Sequence, residues 1–308
     1  MRRLIEKAYI RYFLRSKLSV RLGRYFYRNN GGLLPNLIGK FVLLRDQFIC
    51  RRESGLAFAG ADTEWAKSLR ENGYFIKHPD DTVDISSLEC INDIWLEYLK
   101  DRDVPVDGRL QLTSASNDEK IEQLLPHLEK VLSGGTVPTL EAFYQCKTKV
   151  LNFHIYRIFN PQEIGIPSEN AYGSTSNWHT DGSTTESLKI FFMLSDITPN
   201  DGPMQILNRE ESRGLFGSKL FGSRVGAQAL DEHISRFNKP LSLTGKKGTM
   251  FVALTNECLH RASLPDPGRV RDLLTLQITC TSRKVSLMNQ LRLAKFKEVF
   301  IFKRLLSL

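Results

Sequence analysis

The sequence lacks any long hydrophobic run. No uninterrupted apolar stretch approaches the ~20 residues that a helix needs to cross a bilayer, although 41% of the 308 residues are hydrophobic. No apolar signal core follows Arg2 and Arg3. Length and a charged fraction of 25% are typical of a soluble globular protein, with one domain plus appendages.

Cysteine is scarce and follows no pattern. The cysteines are odd in number, are scattered, and show no CxxC spacing, so they do not indicate a disulfide framework or a zinc finger. We expect reduced and mostly buried thiols in a reducing compartment, which favours a cytoplasmic location. The five are Cys50, Cys90, Cys146, Cys258 and Cys280.

Acidic residues are almost absent from the two ends of the chain. Residues 1–28 hold nine Lys or Arg against Glu6, and residues 283–308 hold seven against Glu298. The segment between them therefore carries −5 of the net charge of +9. The basicity belongs to a predicted N-terminal arm, residues 1–30, and to a predicted C-terminal tail, residues 284–308.

The arm has aromatic residues among its basic ones, for which several interpretations stay open. A basic amphipathic helix suits peripheral contact with an anionic membrane surface. The same pattern fits a solvated helix packed on the domain, and a cleaved organelle presequence is a third alternative. No nucleic-acid partner is expected, because neither end shows a recognised binding module. The membrane interpretation predicts that deletion of residues 1–28 abolishes vesicle binding.

Residues 31–146 form a segment that the patterns predict to be rich in helices. Helices are expected over residues 36–50, 63–72, 86–100 and from 116 onwards, with a short strand at 74–77. Pro126 should kink or restart the fourth helix. Pro138 begins a last helix that ends near Cys146.

From residue 147 to 283 the apolar pattern changes to a period of two. Residues 150–159 alternate as a strand, on which His154 is expected to be a sheet or pocket-wall residue. Further strands are predicted near 188–195, 203–207, 241–244, 249–254 and 272–282. Residues 208–238 form an insertion with several glycines, which is either a lid or a surface excursion.

One short motif in this region points to chemistry. In Trp178-His179-Thr180-Asp181, an imidazole and a carboxylate two residues apart on an extended chain face the same side. His260, brought in by the fold, would complete a set of two histidines and one carboxylate, which binds one face of iron(II) and leaves other positions open. With 6 His and 34 acidic residues, a His-x-Asp/Glu pair arises by chance about 0.7 times per chain, so the pair alone decides little.

The context of the motif is more specific. Gly182 follows it, then the strand-like residues 188–196, the Asn200-Asp201-Gly202-Pro203 turn, the Gly245-Lys246-Lys247-Gly248 turn and His260. In this order the segments resemble the phytanoyl-CoA dioxygenase family of iron(II)/2-oxoglutarate oxygenases, over residues 147–283. The resemblance implies an α+β fold whose core is a double-stranded β-helix (jelly roll), with a helical N-terminal half.

The resemblance also implies the roles of particular residues. His179, Asp181 and His260 would be the iron(II) ligands and the catalytic centre, and Arg271 would bind the distal carboxylate of 2-oxoglutarate. Arg269 is an alternative, although a turn positions a side chain less firmly than a strand. Arg261 is expected on the opposite face from His260, and a Cys258 sulfur ligand is disfavoured.

The implied activity is a dioxygenase reaction in which O2 and 2-oxoglutarate are consumed, succinate and CO2 are released, and an aliphatic C–H is hydroxylated. The basic ends suggest a small-molecule, acyl, lipid or lipid-linked saccharide substrate. An alternative is a noncatalytic metal-binding jelly roll that acts as a binding or sensor protein. A zinc hydrolase is disfavoured because the sequence shows no His-Glu-x-x-His.

Overall fold

The computed structural model of the chain describes residues 40–41, 43–50, 64–79, 84–103, 108–116, 118–160, 162, 176–181, 187–216 and 224–294. The basic arm and the tail beyond residue 294 lie outside these residues, so the predictions about them stay predictions. Within the described residues, no helix is both long enough and apolar enough to span a bilayer.

The described residues before position 147 are mainly helical, as predicted. Helix α2 begins after Asp84, whose carboxylate accepts a hydrogen bond of 3.0 Å from the backbone N–H of Ser87. Residues 43–50 are helical as well. The helices with defined bounds are α1 (Glu64–Glu71), α2 (Ile85–Leu99), α3 (Lys120–Ser133), α4 (Thr136–Tyr144), α5 (Arg209–Phe216), α6 (Arg224–Phe237) and α7 (Leu287–Leu293), with a 3-10 turn at Pro199–Asp201.

Helix α3 differs from its prediction at Pro126. Of the two alternatives predicted there, a kink or a restart, the restart is wrong, because α3 is continuous through the proline. The kink stays a prediction. Proline removes one backbone hydrogen bond, but buried side chains on both sides of it hold the helix against the rest of the protein. They are Ile121, Leu124, Leu125, Leu128, Val131 and Leu132.

The strands form two antiparallel sheets. The large sheet has the order β1-β7-β4-β9-β3-β2, and the small sheet has the order β6-β5-β8. The strands are β1 (Tyr74–Lys77), β2 (Arg109–Thr113), β3 (Lys147–Phe159), β4 (Leu188–Met193), β5 (Met204–Ile206), β6 (Leu241–Ser242), β7 (Met250–Ala253), β8 (His260–Ala262) and β9 (Val270–Thr281). Together the two sheets make the predicted double-stranded β-helix.

Both outer strands of the large sheet come from the segment before residue 147. Strand β1 was predicted, and it pairs with β7. Strand β2 was not predicted, and it pairs with β3 from Arg109 opposite Ile158 to Thr113 opposite His154. The large sheet therefore also includes two strands that precede the predicted range of 147–283.

Strand alternation separates an apolar face of the large sheet from a polar one. On β9, Leu274, Leu276 and Ile278 belong to the main core, which also contains Trp95 and other buried residues of the helices. The intervening β9 residues face the space between the two sheets. A second apolar cluster, with Phe191 and Phe251 at its centre, fills part of that space. The remainder is a cavity lined by charged, polar and apolar side chains.

Candidate metal centre

The three predicted ligand residues meet where the small sheet is extended by one more segment. His179 and His260 form an isolated antiparallel bridge, in which each backbone N–H donates to the other's carbonyl oxygen at 3.0 Å. The backbone N–H of Asp181 donates to the carbonyl of Thr255 at 2.9 Å. One ligand atom from each of His179, Asp181 and His260 then lies within 4.8 Å of the other two.

The orientation of both imidazoles is set by the backbone. Nδ1 of His179 lies 2.7 Å from the carbonyl oxygen of Asn177, and Nδ1 of His260 lies 3.0 Å from that of Cys258. A carbonyl oxygen can only accept, so each Nδ1 carries the proton and each Nε2 presents a lone pair. Metal-binding histidines are commonly oriented in this way.

Burial keeps both rings neutral. Desolvation lowers the pKa of His179, and it lowers the pKa of His260 to about 3 against the opposing effect of Asp181. Burial on its own raises the pKa of Asp181, but Lys189 and then His260 outweigh it and bring that pKa below its usual range. At neutral pH the cluster therefore has two neutral imidazoles and a carboxylate, the protonation states that metal binding requires.

Lys189 is a member of the site that the sequence analysis missed. It lies on β4, and its Nζ is 2.7 Å from Oδ2 of Asp181, while Nε2 of His260 is 3.9 Å from the same oxygen. The ammonium thus occupies one side of the carboxylate that a metal ion would use. Only the pairing of β4 with the rest of the sheet places it there, so the local sequence carries no signal for it.

The structure separates the two arginines that competed for the cosubstrate role. Arg271 is 1% exposed and lines the cavity beside the cluster. Arg269 is largely exposed, and its nearest carboxylate, that of Asp201, is 4.0 Å away. The structure thus places Arg271 in the lining of the cavity, and the role that the resemblance implied for it stays a prediction.

The cavity has a volume of about 400 Å³ and opens between the two sheets. Its described lining comprises charged, polar and apolar side chains in comparable numbers, and His154 is among them, as expected for a pocket-wall residue. The lining residues include Arg109, Gln111, Asn152, His154, Tyr156, Lys189, Phe191, Met204, Arg261, Arg271, Leu273, Thr275 and Gln277.

Cys258 is not arranged as a ligand. Its Sγ lies 3.7 Å from the backbone carbonyl of Asn72, in the contact between β1 and the chain leading to His260. Burial raises the pKa of this thiol to about 12, which keeps it protonated. A protonated thiol directed away from the cluster does not bind a metal there.

A carboxylate of α6 contacts the neighbours of both histidine ligands. Asp231 Oδ1 accepts a hydrogen bond of 3.1 Å from Trp178 Nε1 and an ion-paired hydrogen bond from Arg261. The guanidinium of Arg261 stacks on the ring of Trp178 at 4.9 Å and also donates to Gln205 at 2.8 Å. Arg261 and His260 thus leave β8 on opposite faces, as predicted, and the side chain of Arg261 also reaches the rim of the cavity.

Helices α5 and α6 of the insertion pack against this part of the site. Leu215, Leu230 and Ile234 form an apolar cluster with Trp178 and Leu259. Residues 217–223, which include Gly217 and Gly222, lie outside the described residues. The lid therefore stays a prediction, whereas the flanking helices support the chain beside the ligands.

Neither a protein-family model nor a curated protein sequence matches the chain. Several solved structures resemble it. EctD from S. alaskensis with 2-oxoglutarate and 5-hydroxyectoine is 13% identical at a TM-score of 0.50, over 75% of this chain and 80% of that one. AviO1 from Streptomyces viridochromogenes is 10% identical at a TM-score of 0.48, over 75% of this chain and 99% of that one. The non-heme alpha ketoglutarate dependent epimerase SnoN from nogalamycin biosynthesis is 12% identical at a TM-score of 0.45, over 70% of this chain and 81% of that one. At such identities the likeness shows the fold alone.

Proposed function

We propose that this protein is an iron(II)- and 2-oxoglutarate-dependent dioxygenase that hydroxylates an aliphatic C–H of its substrate, with release of succinate and CO2. The observation that carries the proposal is the cluster of His179, Asp181 and His260 on a jelly-roll cavity that Arg271 also lines. The phytanoyl-CoA dioxygenase-like sequence features of residues 147–283 and the similarity of the fold to that of EctD, solved with 2-oxoglutarate, support it.

The residues present fit iron(II). Two neutral imidazole nitrogens and one carboxylate oxygen are the donor set of non-heme iron oxygenases, which use three protein ligands and keep the other positions open. The Nδ1 hydrogen bonds leave both Nε2 atoms available. When bound, iron(II) together with 2-oxoglutarate and O2 supplies the oxidising power for C–H hydroxylation.

The roles of the chain's own residues follow from their positions. Asp181 would exchange its contact with Lys189 for a contact with the metal, which leaves the ammonium beside the centre. Arg271 would hold the distal carboxylate of 2-oxoglutarate, because a guanidinium offers two parallel donors to a carboxylate. The buried position of Arg271 strengthens such a pair relative to one in water.

Succinate formation tests the proposal. Protein loaded with iron(II) under anaerobic conditions is given 2-oxoglutarate and air, and succinate is measured beside a His179→Ala control. We expect succinate that depends on iron, on 2-oxoglutarate and on His179. A noncatalytic binding or sensor protein would hold the metal and form no succinate, with or without added substrate candidates.

A further inference from the structure

One wall of the cavity carries a chain of hydrogen-bonded polar side chains. Asn152 Nδ2 donates to Gln277 Oε1 at 2.9 Å, and Gln277 Nε2 donates to Ser187 Oγ at 3.3 Å. At the other end, His154 Nε2 lies 3.1 Å from Asn152 Oδ1. These contacts hold both amides in fixed orientations on the cavity wall.

This polar chain starts at the candidate metal centre. In the large sheet, Lys189 of β4 is opposite Gln277 of β9, and Gln277 is opposite Asn152 of β3. Lys189 is the residue that contacts Asp181 at 2.7 Å. The two amides therefore lie in the same row of the sheet as the lysine beside the candidate metal centre.

The same wall stays polar further along the sheet. Thr275 lies next to Gln277 on the cavity face of β9, and its hydroxyl is 3.4 Å from that of Tyr156. Gln111 of the outer strand β2 is opposite Tyr156, and Arg109 stands at the end of the row. Asn152, Gln277, Thr275, Tyr156 and Gln111 thus place hydrogen-bonding groups along the lining between the metal centre and Arg109, with the apolar side chains of Phe191, Leu273 and Ile158 between them.

The cavity is also positively charged. Its described charged lining consists of Arg109, Lys189, Arg261 and Arg271 against the single carboxylate of Asp181. Asp231 pairs with Arg261 outside the cavity. Binding of iron(II) with 2-oxoglutarate adds two charges of each sign, so the excess of positive charge persists and favours an anionic substrate.

A hydrocarbon chain is a poor match for the part of this wall that carries the amides of Asn152 and Gln277. Covering a polar group with methylene groups leaves it without water, at a cost of about 1–3 kcal/mol for each unsatisfied group. A substrate hydroxyl both donates and accepts, so it can pair with an amide in either sense. Sites built to bind hydroxyl groups also reject analogues that lack them.

We infer that the substrate is an anionic polyhydroxylated molecule, such as a phosphorylated or carboxylated saccharide, and that a free hydrocarbon chain is not what this cavity oxidises. The inference rests on the proposed function. The hydroxyl groups next to the reacting C–H would pair with Gln277 and Asn152, and the anionic group would lie toward Arg109. The cavity also has to hold 2-oxoglutarate within about 400 Å³, so only a small part of a larger substrate would enter it.

Anaerobic titration tests this assignment. Full-length protein with iron(II) and 2-oxoglutarate is first examined for the visible charge-transfer absorption of the iron chelate, whose absence would refute the proposed function itself. The probes are glucose 6-phosphate, glucuronate, UDP-glucose and a polyprenyl-diphosphate-linked hexose in micelles, with glucose and octanoate for comparison. Binding is measured as a change in that absorption and in Tm.

We expect at least one anionic saccharide to bind more tightly than glucose and octanoate. Comparison of the free saccharide probes with the polyprenyl-diphosphate-linked hexose shows whether the substrate is a free or a lipid-linked saccharide. Gln277→Leu and Asn152→Leu should lower the affinity for that probe by about tenfold or more. Arg109→Gln should lower the affinity for that probe and leave the affinity for glucose unchanged. Gln123→Leu, on the exposed surface of α3, is the matched control.

Three outcomes would overturn the assignment while the iron chelate forms normally: octanoate binding in preference to every anionic saccharide, no binding of any saccharide probe, or unchanged saccharide affinity in the leucine variants. If a leucine variant does not fold, Asn152→Asp decides the question. It keeps the size of the side chain, removes its N–H donors and adds a negative charge, so we expect the same loss of affinity.

Discussion

The two sheets of the jelly roll hold their parts of the site by different means. In the large sheet, β3 and β9 are 13 and 12 residues long and pair almost throughout their length. In the small sheet, β5, β6 and β8 have only 3, 2 and 3 residues. The long strand β9 carries Arg271, and its pairing with β4 fixes Lys189 by backbone register. The short strands cannot fix the histidines in this way alone.

Side chains from outside the small sheet make up for its shortness. Asp231 of α6 binds both Trp178 and Arg261, which adjoin His179 and His260 in the chain. The apolar cluster of Leu207, Leu230 and Ile234 covers the same segment. With the proposed roles, cosubstrate binding would depend on the large sheet, and the geometry of the proposed metal ligands would depend on contacts between α6 and the small sheet.

The largest expected effect comes from Asp181, on which both sheets converge. Asp181→Gly removes the only carboxylate of the cluster and should abolish iron-dependent succinate formation. The affinity for iron(II), measured by competition with a chromogenic chelator, should fall in parallel. Full hydroxylation activity in this variant would contradict the ligand assignment.

Changes on the large sheet should affect cosubstrate binding and leave iron binding intact. Arg271→Lys replaces a planar fork with a point charge, and we expect the affinity for 2-oxoglutarate to fall by about a hundredfold, the cost of disrupting a buried hydrogen-bonded charge pair. Anaerobic calorimetry measures it. Arg269→Lys, on the exposed turn, is the control, and an equal loss there would show that the wrong arginine has been assigned.

Lys189 should link the large sheet to the metal ligands. Lys189→Met leaves Asp181 without its ammonium partner, so without metal the free energy of unfolding should fall by about 1–3 kcal/mol. Because the ammonium no longer competes for the carboxylate, iron(II) should bind more tightly and raise Tm by more than it does in the wild type.

The control for Lys189 is the exposed pair between Lys246 and Asp196, whose 2.9 Å contact is similar in length. Lys246→Met should change Tm little and leave iron binding as it is, because exposed ion pairs contribute little. Weaker iron binding in Lys189→Met would contradict the proposed exchange at Asp181.

The smallest effect is expected from the support of the small sheet. Asp231→Ala removes the acceptor shared by Trp178 and Arg261, and we expect iron affinity to fall by about tenfold, as is typical when partners around metal ligands are lost. The affinity of the iron-loaded protein for 2-oxoglutarate should change less. Asp266→Ala on an exposed turn serves as the comparison, and equal effects of the two changes would remove the distinction between the sheets.

Local sequence patterns predicted the features that depend on neighbouring residues. Period-two alternation predicted β3 and β9, and the two-residue spacing predicted that His179 and Asp181 would lie side by side. The short strand β2 escaped notice because its five residues alternate polar with apolar side chains for too short a length to stand out. The sequence alone left a restart at Pro126 open, because tertiary packing places the buried leucines that outweigh one missing hydrogen bond.

The missed members of the site depend on contacts between distant parts of the chain. Asn152 and Gln277 are 125 residues apart, and Trp178 and Asp231 are 53 apart. Only strand register brings the first pair together, and only the packing of α6 brings the second. His260 and Arg271 were identified through the family resemblance and not through any local pattern.

The most direct test is an anaerobic calorimetric titration of the protein with 2-oxoglutarate, carried out with and without iron(II). The account predicts one molecule of 2-oxoglutarate bound per chain when iron(II) is present, and much weaker binding in its absence or in the Arg271→Lys variant. No binding of 2-oxoglutarate at millimolar concentration by the iron-loaded protein would contradict the oxygenase assignment and favour a noncatalytic binding protein.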